Sequence, residues 1–383
     1  MLPLDQAEAN FEASVDATVG IEEEFAILDP GTLDLVPRYE ELHAAALTDP
    51  VLGAAIAGEL ISSEVEIRSG RGEHLADALD HQRGARQALF RLADAHSAKL
   101  GATGTHPWAD YREQPNIDTA HYRRVVQELQ YVARRNNTFS LHAHVGIRGA
   151  DRAVRVCDRL RGVLPLLLAV SASSPYLDAR HTGLHSARTQ SFTKSFPRCG
   201  IPDAYGSWRA YAEYIAFLQK TKSIVEDTQV WWSVRPHLTF GTVEVRICDA
   251  QTTAGESDAL SALMVACVLQ AAYDVDAGTP DPDPPRRLVE ENLWRAIRFG
   301  LDGKLIDLTE ATEFPAAATV ERLLAWTEPA RAAHALLEPA FPPLNGAQRQ
   351  RRMIDAGATP TEVYAAAVQE THSTYSHQEA SRA

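Results

Sequence analysis

Residues 18–25, TVGIEEEF, carry three consecutive carboxylates inside a β-branched and apolar run. An extended backbone turns alternate side chains to opposite faces, so Glu22 and Glu24 point one way while Ile21, Glu23 and Phe25 point the other. Two carboxylates on one strand face repel each other, and burial raises that cost to several kcal/mol. A divalent cation between their oxygens turns the repulsion into affinity, because hard Mg2+ or Mn2+ selects carboxylate ligands. Read alone, the run also fits a solvated acidic edge. It does not stand alone. Residues 59–68, ELISSEVEIR, place Glu64 and Glu66 on one face and Ile61, Val65 and Ile67 on the other, with Glu59 just ahead. Residues 138–147, TFSLHAHVGI, put His142 and His144 on a shared face, and in 242–247, TVEVRI, Glu244 shares a face with Arg246. A core strand avoids such residues, and a surface strand seldom sets them among so many Val, Ile and Phe neighbours, so the joint pattern points to a site. Its chemistry would be that of metal-assisted phosphoryl transfer, which needs cations to neutralise phosphate oxygens and an arginine fork to grip them, but no protein nucleophile.

The elements that must bring these runs together are legible in outline. Asp-Pro-Gly within residues 28–38 reads as a hairpin turn after the first acidic strand. Apolar positions 75, 79, 89 and 92 fall at helical spacing over 73–100, and a second helix is expected over 119–135. Asp151 is the expected N-cap of a long core helix that ends before the SSP at 173–175, and Ser207 starts another. Residues 178–206 show little periodicity and read as a long binding loop, and residues 276–285 as a surface loop. Residues 230–248 read as two strands around a proline turn, and nearly everything from 255 onward is helical. The fold class is therefore α+β, an antiparallel sheet with helices gathered on its outer side. With 383 residues the chain is expected to form one catalytic domain over 16–375, flanked by a loose arm at 1–15 and a loose tail at 376–383. The net charge of -14 argues against a nucleic-acid backbone as partner. Cys157, Cys199, Cys248 and Cys267 form no CxxC pair and suit reduced thiols in a cytoplasm. The apolar run at 163–172 is too short to span a membrane.

Taken together, GIEEEF at 20–25, ELISSEVEI at 59–67, HAHVGI at 142–147 and RPHLTFGTVEVRICD at 235–249 resemble the carboxylate-amine ligases of the type 2 glutamate-cysteine ligase family. The likeness extends to ARTQSFTKSFPRCGIP at 187–202 and NGAQRQRR at 345–352, and so covers most of the chain. It implies a glutamine synthetase-like fold, in which a curved antiparallel sheet forms a metal-lined funnel for ATP with helices on its outer face. It also implies an amide bond made between a carboxylate and an amine, such as glutamate and cysteine, through an acyl phosphate. ATP and Mg2+ or Mn2+ are the implied cofactors, and a homodimer or higher homo-oligomer the implied assembly. Carried over residue by residue, the family pattern makes Glu22, Glu24, Glu59, Glu66 and Glu244 metal ligands. For the histidine it offers the HxH strand, where His144 is preferred because it directly precedes the apolar VGI, with His142 as its neighbour.

Around these ligands, Arg246 and Glu244 are the expected catalytic pair, and Arg246 would steady charge that develops on transfer. Arg235 is assigned to ATP phosphate. Arg188, Lys194 and Arg198 are assigned to the acyl substrate or its phosphate, Arg198 as a catalytic residue and the other two as nucleotide contacts, although each also fits a surface charge. Trp231 and Trp232 fit adenine stacking or core packing, and Cys199 lacks the base partner that a nucleophile needs. Two other classes fit the same acidic set: a phosphotransferase to a guanidino or other nitrogen acceptor, and a catalytically silent nucleotide-binding regulator.

Overall fold

The computed structural model describes residues 2–280 and 282–377. The four acidic or histidine-bearing runs become strands of one seven-stranded sheet. Its strands are β1 (Val19–Leu28), β2 (Ile56–Ala57), β3 (Glu64–Arg68), β4 (Lys99–Gly101), β5 (Ser140–Gly146), β6 (Val234–His237) and β7 (Thr242–Asp249). They lie in the order β6-β7-β5-β1-β3-β2, with β4 on the C-terminal half of β1, and every pairing is antiparallel.

Alternation sorts this sheet into two faces. Val19, Ile21, Leu141, Ala143, Val145, Val243 and Val245 join one buried cluster with the helices Ala150–Leu160 and Ala254–Asp276. Phe25, Ile27, Val65 and Ile67 pack with Leu89 and Phe90 of the helix Leu75–Ala95. The opposite face, from the even-numbered residues of β1, β3 and β5, is left for the carboxylates and histidines. On β7 the alternation is interrupted: Val245 pairs with Ala143 but Cys248 with Leu141, one residue out of step. That bulge lets Ile247 and Cys248 both enter the core and returns Asp249 to a position opposite Ser140.

The back of β1 holds one buried charge. Glu23 accepts from Arg86 Nε and Nη2 at 2.7 and 2.9 Å, from Gln82 Nε2 at 2.7 Å, and from the Ser257 hydroxyl. Arg86 also donates to Asp258 at 2.6 Å. With its donors satisfied, this charge fastens β1 to two helices and fixes which residues of the strand face forward.

Several expectations change. The arm expected over 1–15 contains the helix Leu4–Glu12, whose Ala7 and Phe11 are buried. Gly241, in the β6–β7 turn, has φ +63, and a Cβ there would lie 2.5 Å from the Asn10 carbonyl oxygen, so glycine lets this helix seat against the hairpin. The hairpin over 28–38 reduces to a single bridge between Leu28 and Leu35. The helix over 119–135 breaks at Gln130 (φ 50) into Ala120–Leu129 and Tyr131–Arg134. Asp151 lies inside the first turn of its helix, where it accepts from the Trp208 amide instead of capping. That helix ends at Leu160, and a second, Leu164–Ser171, follows. Residues 178–206 are not structureless: Ser186 caps a helix, Ala187–Ser195, by accepting from the Thr189 amide. The longest apolar helix is Ala254–Asp276 rather than the run at 163–172; it has the length and composition to cross a membrane, yet 78% of its apolar window is buried as the core helix. The loop over 276–285 includes residue 281, and the tail over 376–383 includes residues 378–383, which lie outside the described residues.

Candidate metal and active site

Register decides which side chains meet on the front face. Glu22 pairs with His142, and His144 pairs with both Gly20 and Glu244, so β1, β5 and β7 deliver Glu22, His144 and Glu244 to one spot. Their ligand atoms all lie within 4.8 Å of one another. One strand over, Glu24 stands opposite Glu66, and Glu59 reaches them from the segment before β3; these three also lie within 4.8 Å. The sheet thus brings all six residues assigned to metal together as two adjacent trios. One offers two carboxylates and an imidazole, the other three carboxylates. Either is a donor set that suits a hard divalent cation.

The two histidines are not equivalent. His142 is fully engaged, with Nδ1 3.1 Å from Glu22 and Nε2 2.8 Å from Ser140 Oγ. His144 rests Nδ1 on Thr242 Oγ1 at 3.0 Å, which leaves its buried Nε2 without a hydrogen bond, 3.3 Å from Glu22 and 3.8 Å from Glu244. A ring fixed through one nitrogen and open at the other is the usual arrangement of a metal-binding histidine.

Electrostatics separates the trios. Burial opposes ionisation of Glu22, but His144 and His142 outweigh it and hold the carboxyl well below its ordinary range. For Glu244, burial is likewise outweighed, first by Arg235 and then by Arg246. In the all-carboxylate trio burial prevails over the groups that oppose it, Arg188 and Ser140 at Glu24 and Arg68 at Glu59 and Glu66. Burial pushes Glu24, Glu59 and Glu66 upward, and neighbouring carboxylates add to the rise at Glu59 and Glu66. Glu64, on the same face, rises for the same reasons.

The cations divide by reach. Arg246 pairs with Glu244 and keeps its buried Nε without a partner at the cavity wall. Arg188, from the helix Ala187–Ser195, is buried there too; it donates to the carbonyls of Ile247 and Arg246 at 3.1 and 3.2 Å and keeps Nε unpartnered. Arg235 grips both oxygens of Glu244, at 2.6 and 3.3 Å, and spends Nη1 on the Thr228 and Val230 carbonyls. It therefore orients Glu244 more than it awaits phosphate. Two assigned residues lie outside the cavity lining: Lys194 points from the far side of its helix to Glu290, and Arg198 lies over the Trp231 ring with Nε on the Gln229 carbonyl. Both were reached through composition of a loop whose helical phase, once formed, turns Arg188 and Phe192 inward and Lys194 outward. Arg68 was missed, although Glu66-Ile-Arg68 repeats the spacing of Glu244-Val-Arg246; it pairs with Glu66 and lies 3.6 Å from Glu22.

A cavity of about 390 Å³ opens over both trios, walled by these arginines and by Phe192, Phe196 and Trp231. Trp232 is core. Cys199 is buried, and burial pushes its thiol up to about 12, which leaves no thiolate for nucleophilic chemistry. The NGAQRQRR stretch lies away from this cavity. It forms the helix Gly346–Asp355, pinned by a capping box at Asn345 and by Asn345 Nδ2 on the Ala169 carbonyl at 2.9 Å.

Similarity to known proteins extends over most of the chain. A family model described as glutamate-cysteine ligase family 2 matches residues 18–380. A Rubrobacter xylanophilus protein named "Putative glutamate--cysteine ligase 2-2" is 38% identical over 317 residues, 82% of this chain and 81% of that one. A Solibacter usitatus protein named "Putative glutamate--cysteine ligase 2" is 37% identical over 345 residues, 88% of this chain and 89% of that one. Among solved structures, the glutamate-cysteine ligase of Francisella tularensis in complex with AMP superposes with a TM-score of 0.68 over 96% of this chain and 90% of that one, at 10% identity. At that identity the superposition speaks to the fold alone, an antiparallel sheet with helices packed against it, as the sequence leads one to expect.

Proposed function

The chain belongs to glutamate-cysteine ligase family 2, and from that premise we propose that it is an ATP-dependent carboxylate-amine ligase, with glutamate and cysteine as the substrate pair to test first. The observation that carries the reading is the pair of metal-ligand trios on one sheet face under a cavity walled by arginines. Glu22, His144 and Glu244 would hold one divalent cation and Glu24, Glu59 and Glu66 another, Mg2+ or Mn2+. Such ions, when bound, neutralise the phosphate oxygens of ATP. In the proposed reaction a carboxylate oxygen of the acid attacks the γ-phosphorus and ADP leaves. The amine nitrogen then attacks the acyl carbon, loses a proton and expels phosphate.

The chain's own contribution is to position and to shield. Arg246, held against Glu244 with Nε free, is placed to fork onto the phosphoryl oxygens as charge shifts. Arg188 presents a second guanidinium whose position is set by the β7 carbonyls. Arg235 keeps Glu244 in its ligating orientation. Phe192, Phe196 and Trp231 limit water at one wall, which protects an acyl phosphate from hydrolysis. Within the same proposal stand a homo-oligomer, testable by sedimentation, and a cytoplasmic location, supported by four free buried cysteines.

The test is release of phosphate and ADP from Mg-ATP with a panel of amino acids and amines, singly and in pairs, with Glu24→Gln as control. The expected result is turnover only when a carboxylate and an amine are both present, with their condensation product in the mass spectrum. Phosphate transfer onto a single nitrogen acceptor would overturn the ligase reading in favour of a phosphotransferase, and Mg-ATP binding without turnover on any pair would favour a regulator.

A further inference from the structure

Beside the all-carboxylate trio stands a fourth carboxylate that the ligand assignment leaves out. Glu64 precedes Glu66 by two residues on β3 and so shares its face; it stands opposite Ala26 of β1, diagonal to Glu24. It is 1% exposed, lines the cavity, and neither of its oxygens has a hydrogen-bond partner. Arg68, the nearby cation of that strand, is committed to Glu66 and Glu22.

Glu23, on the other face of the same sheet, shows how this fold treats a buried carboxylate that serves structure: three side chains donate to it. Glu64 has none and is set among Glu24, Glu59 and Glu66, an arrangement that is relieved by a proton or by an arriving cation. We propose that Glu64 belongs to the metal centre, giving the Glu24–Glu59–Glu66 pole a fourth carboxylate, and that this pole takes up its divalent cation without nucleotide and ahead of the Glu22–His144–Glu244 pole. The order follows from charge. At the histidine pole Glu244 is already matched by Arg235 and Arg246, and Glu22 lies 3.6 Å from Arg68, whereas of the four carboxylates at the other pole only Glu66 has an arginine partner, again Arg68. Affinity of oxygen sites for hard cations rises with the charge of the ligand set. The inference rests on the metal-binding part of the proposed function and not on the identity of the reaction.

The experiment is titration of EDTA-stripped protein with Mn2+ alone, free Mn2+ being read by electron paramagnetic resonance, for the native chain, Glu64→Gln, Glu64→Asp and His144→Gln. The expected result is two binding classes in the native chain. Glu64→Gln should weaken the tighter class by about tenfold or more, in line with the loss of one charged ligand, Glu64→Asp should restore part of that loss, and His144→Gln should weaken only the looser class. A thermal midpoint of stripped Glu64→Gln no lower than native shows that the fold is kept. The inference is overturned if Glu64→Gln changes the tighter class by less than tenfold, if His144→Gln removes the tighter class instead, or if the native chain binds no Mn2+ without nucleotide. A chain that shows both classes yet joins no acid to an amine would sink the ligase reading and leave this one standing.

Discussion

Arg86→Met probes whether the back of β1 holds its front in place. Arg86 is wholly buried and meets Glu23 through Nε and Nη2 at 2.7 and 2.9 Å. Without it, the Glu23 carboxylate stays 3% exposed with Gln82 Nε2 at 2.7 Å and the Ser257 hydroxyl as donors. Breaking a buried pair by removing one partner costs about 3–5 kcal/mol. Two surviving neutral donors place this case at the lower end, about 3 kcal/mol. Glu23→Gln in the Arg86→Met background removes the stranded charge and should return about 2 kcal/mol, and with Glu23→Gln alone the double-mutant cycle gives the coupling of the pair. The assay is urea unfolding at pH 7 of the four proteins, paired with Mn2+ binding. Because Glu22 and Glu24 flank Glu23, the single mutant should weaken Mn2+ at both trios and the double mutant should recover it. A loss below about 1 kcal/mol for Arg86→Met, or a double mutant no more stable than the single, would refute the reasoning, since the buried charge would then not be what Arg86 compensates.

Two further outcomes are expected. Arg188→Met should lower kcat for ATP-dependent phosphate release by about a hundredfold, whereas Lys194→Met should stay within about twofold as expected for an exposed ion pair; similar losses in both would remove the distinction drawn between the two faces of that helix. His106 is buried, with Nε2 2.8 Å from the Leu33 carbonyl and Nδ1 accepting from the Ala109 amide at 3.0 Å, and burial lowers its pKa from 6.5 to about 4. Between those values the unfolded chain binds the proton more readily, so this stabilisation is complete above pH 6.5 and is lost as pH falls toward 4. The loss is worth up to about 3 kcal/mol. His106→Asn should flatten that part of the stability profile, and an unchanged slope in urea titrations across this window would rule the residue out as its source.

How much was legible turns on which contacts are set by parity. Strict alternation in β1, β3 and β5 told which of Glu22, Glu23 and Glu24 faces forward and gathered the candidate carboxylates and histidines, while the choice of metal ligands among them came from the family resemblance. It failed past Val245, where the bulge inserts a residue that no local pattern announces. Arg198 and Lys194 fall outside the cavity lining for a different reason. Residues 178–206 mix glycine and proline with a Ser-capped helix, and composition hid the phase that separates Arg188 from Lys194. The choice between His142 and His144 rests on where Ser140, on the same strand, and Thr242, on a strand far along the chain, place their hydroxyls. The helix at Leu4–Glu12 was missed because its burial depends on Gly241, more than two hundred residues away, and not on its own sequence.

Because metal ligands and core residues occupy alternate places on the same strands, the site tolerates exchange of residues far better than change of length. One residue gained or lost within β1 ahead of Glu22 would send Glu23 into the cavity and drive Glu22 and Glu24 against the helices, reversing a reading frame written in side chains instead of bases. Divergence toward new acids and amines therefore has room in the segments between strands, such as residues 178–206 and the broken helix around Gln130, where insertions re-shape the cavity mouth and leave the frame of the sheet intact.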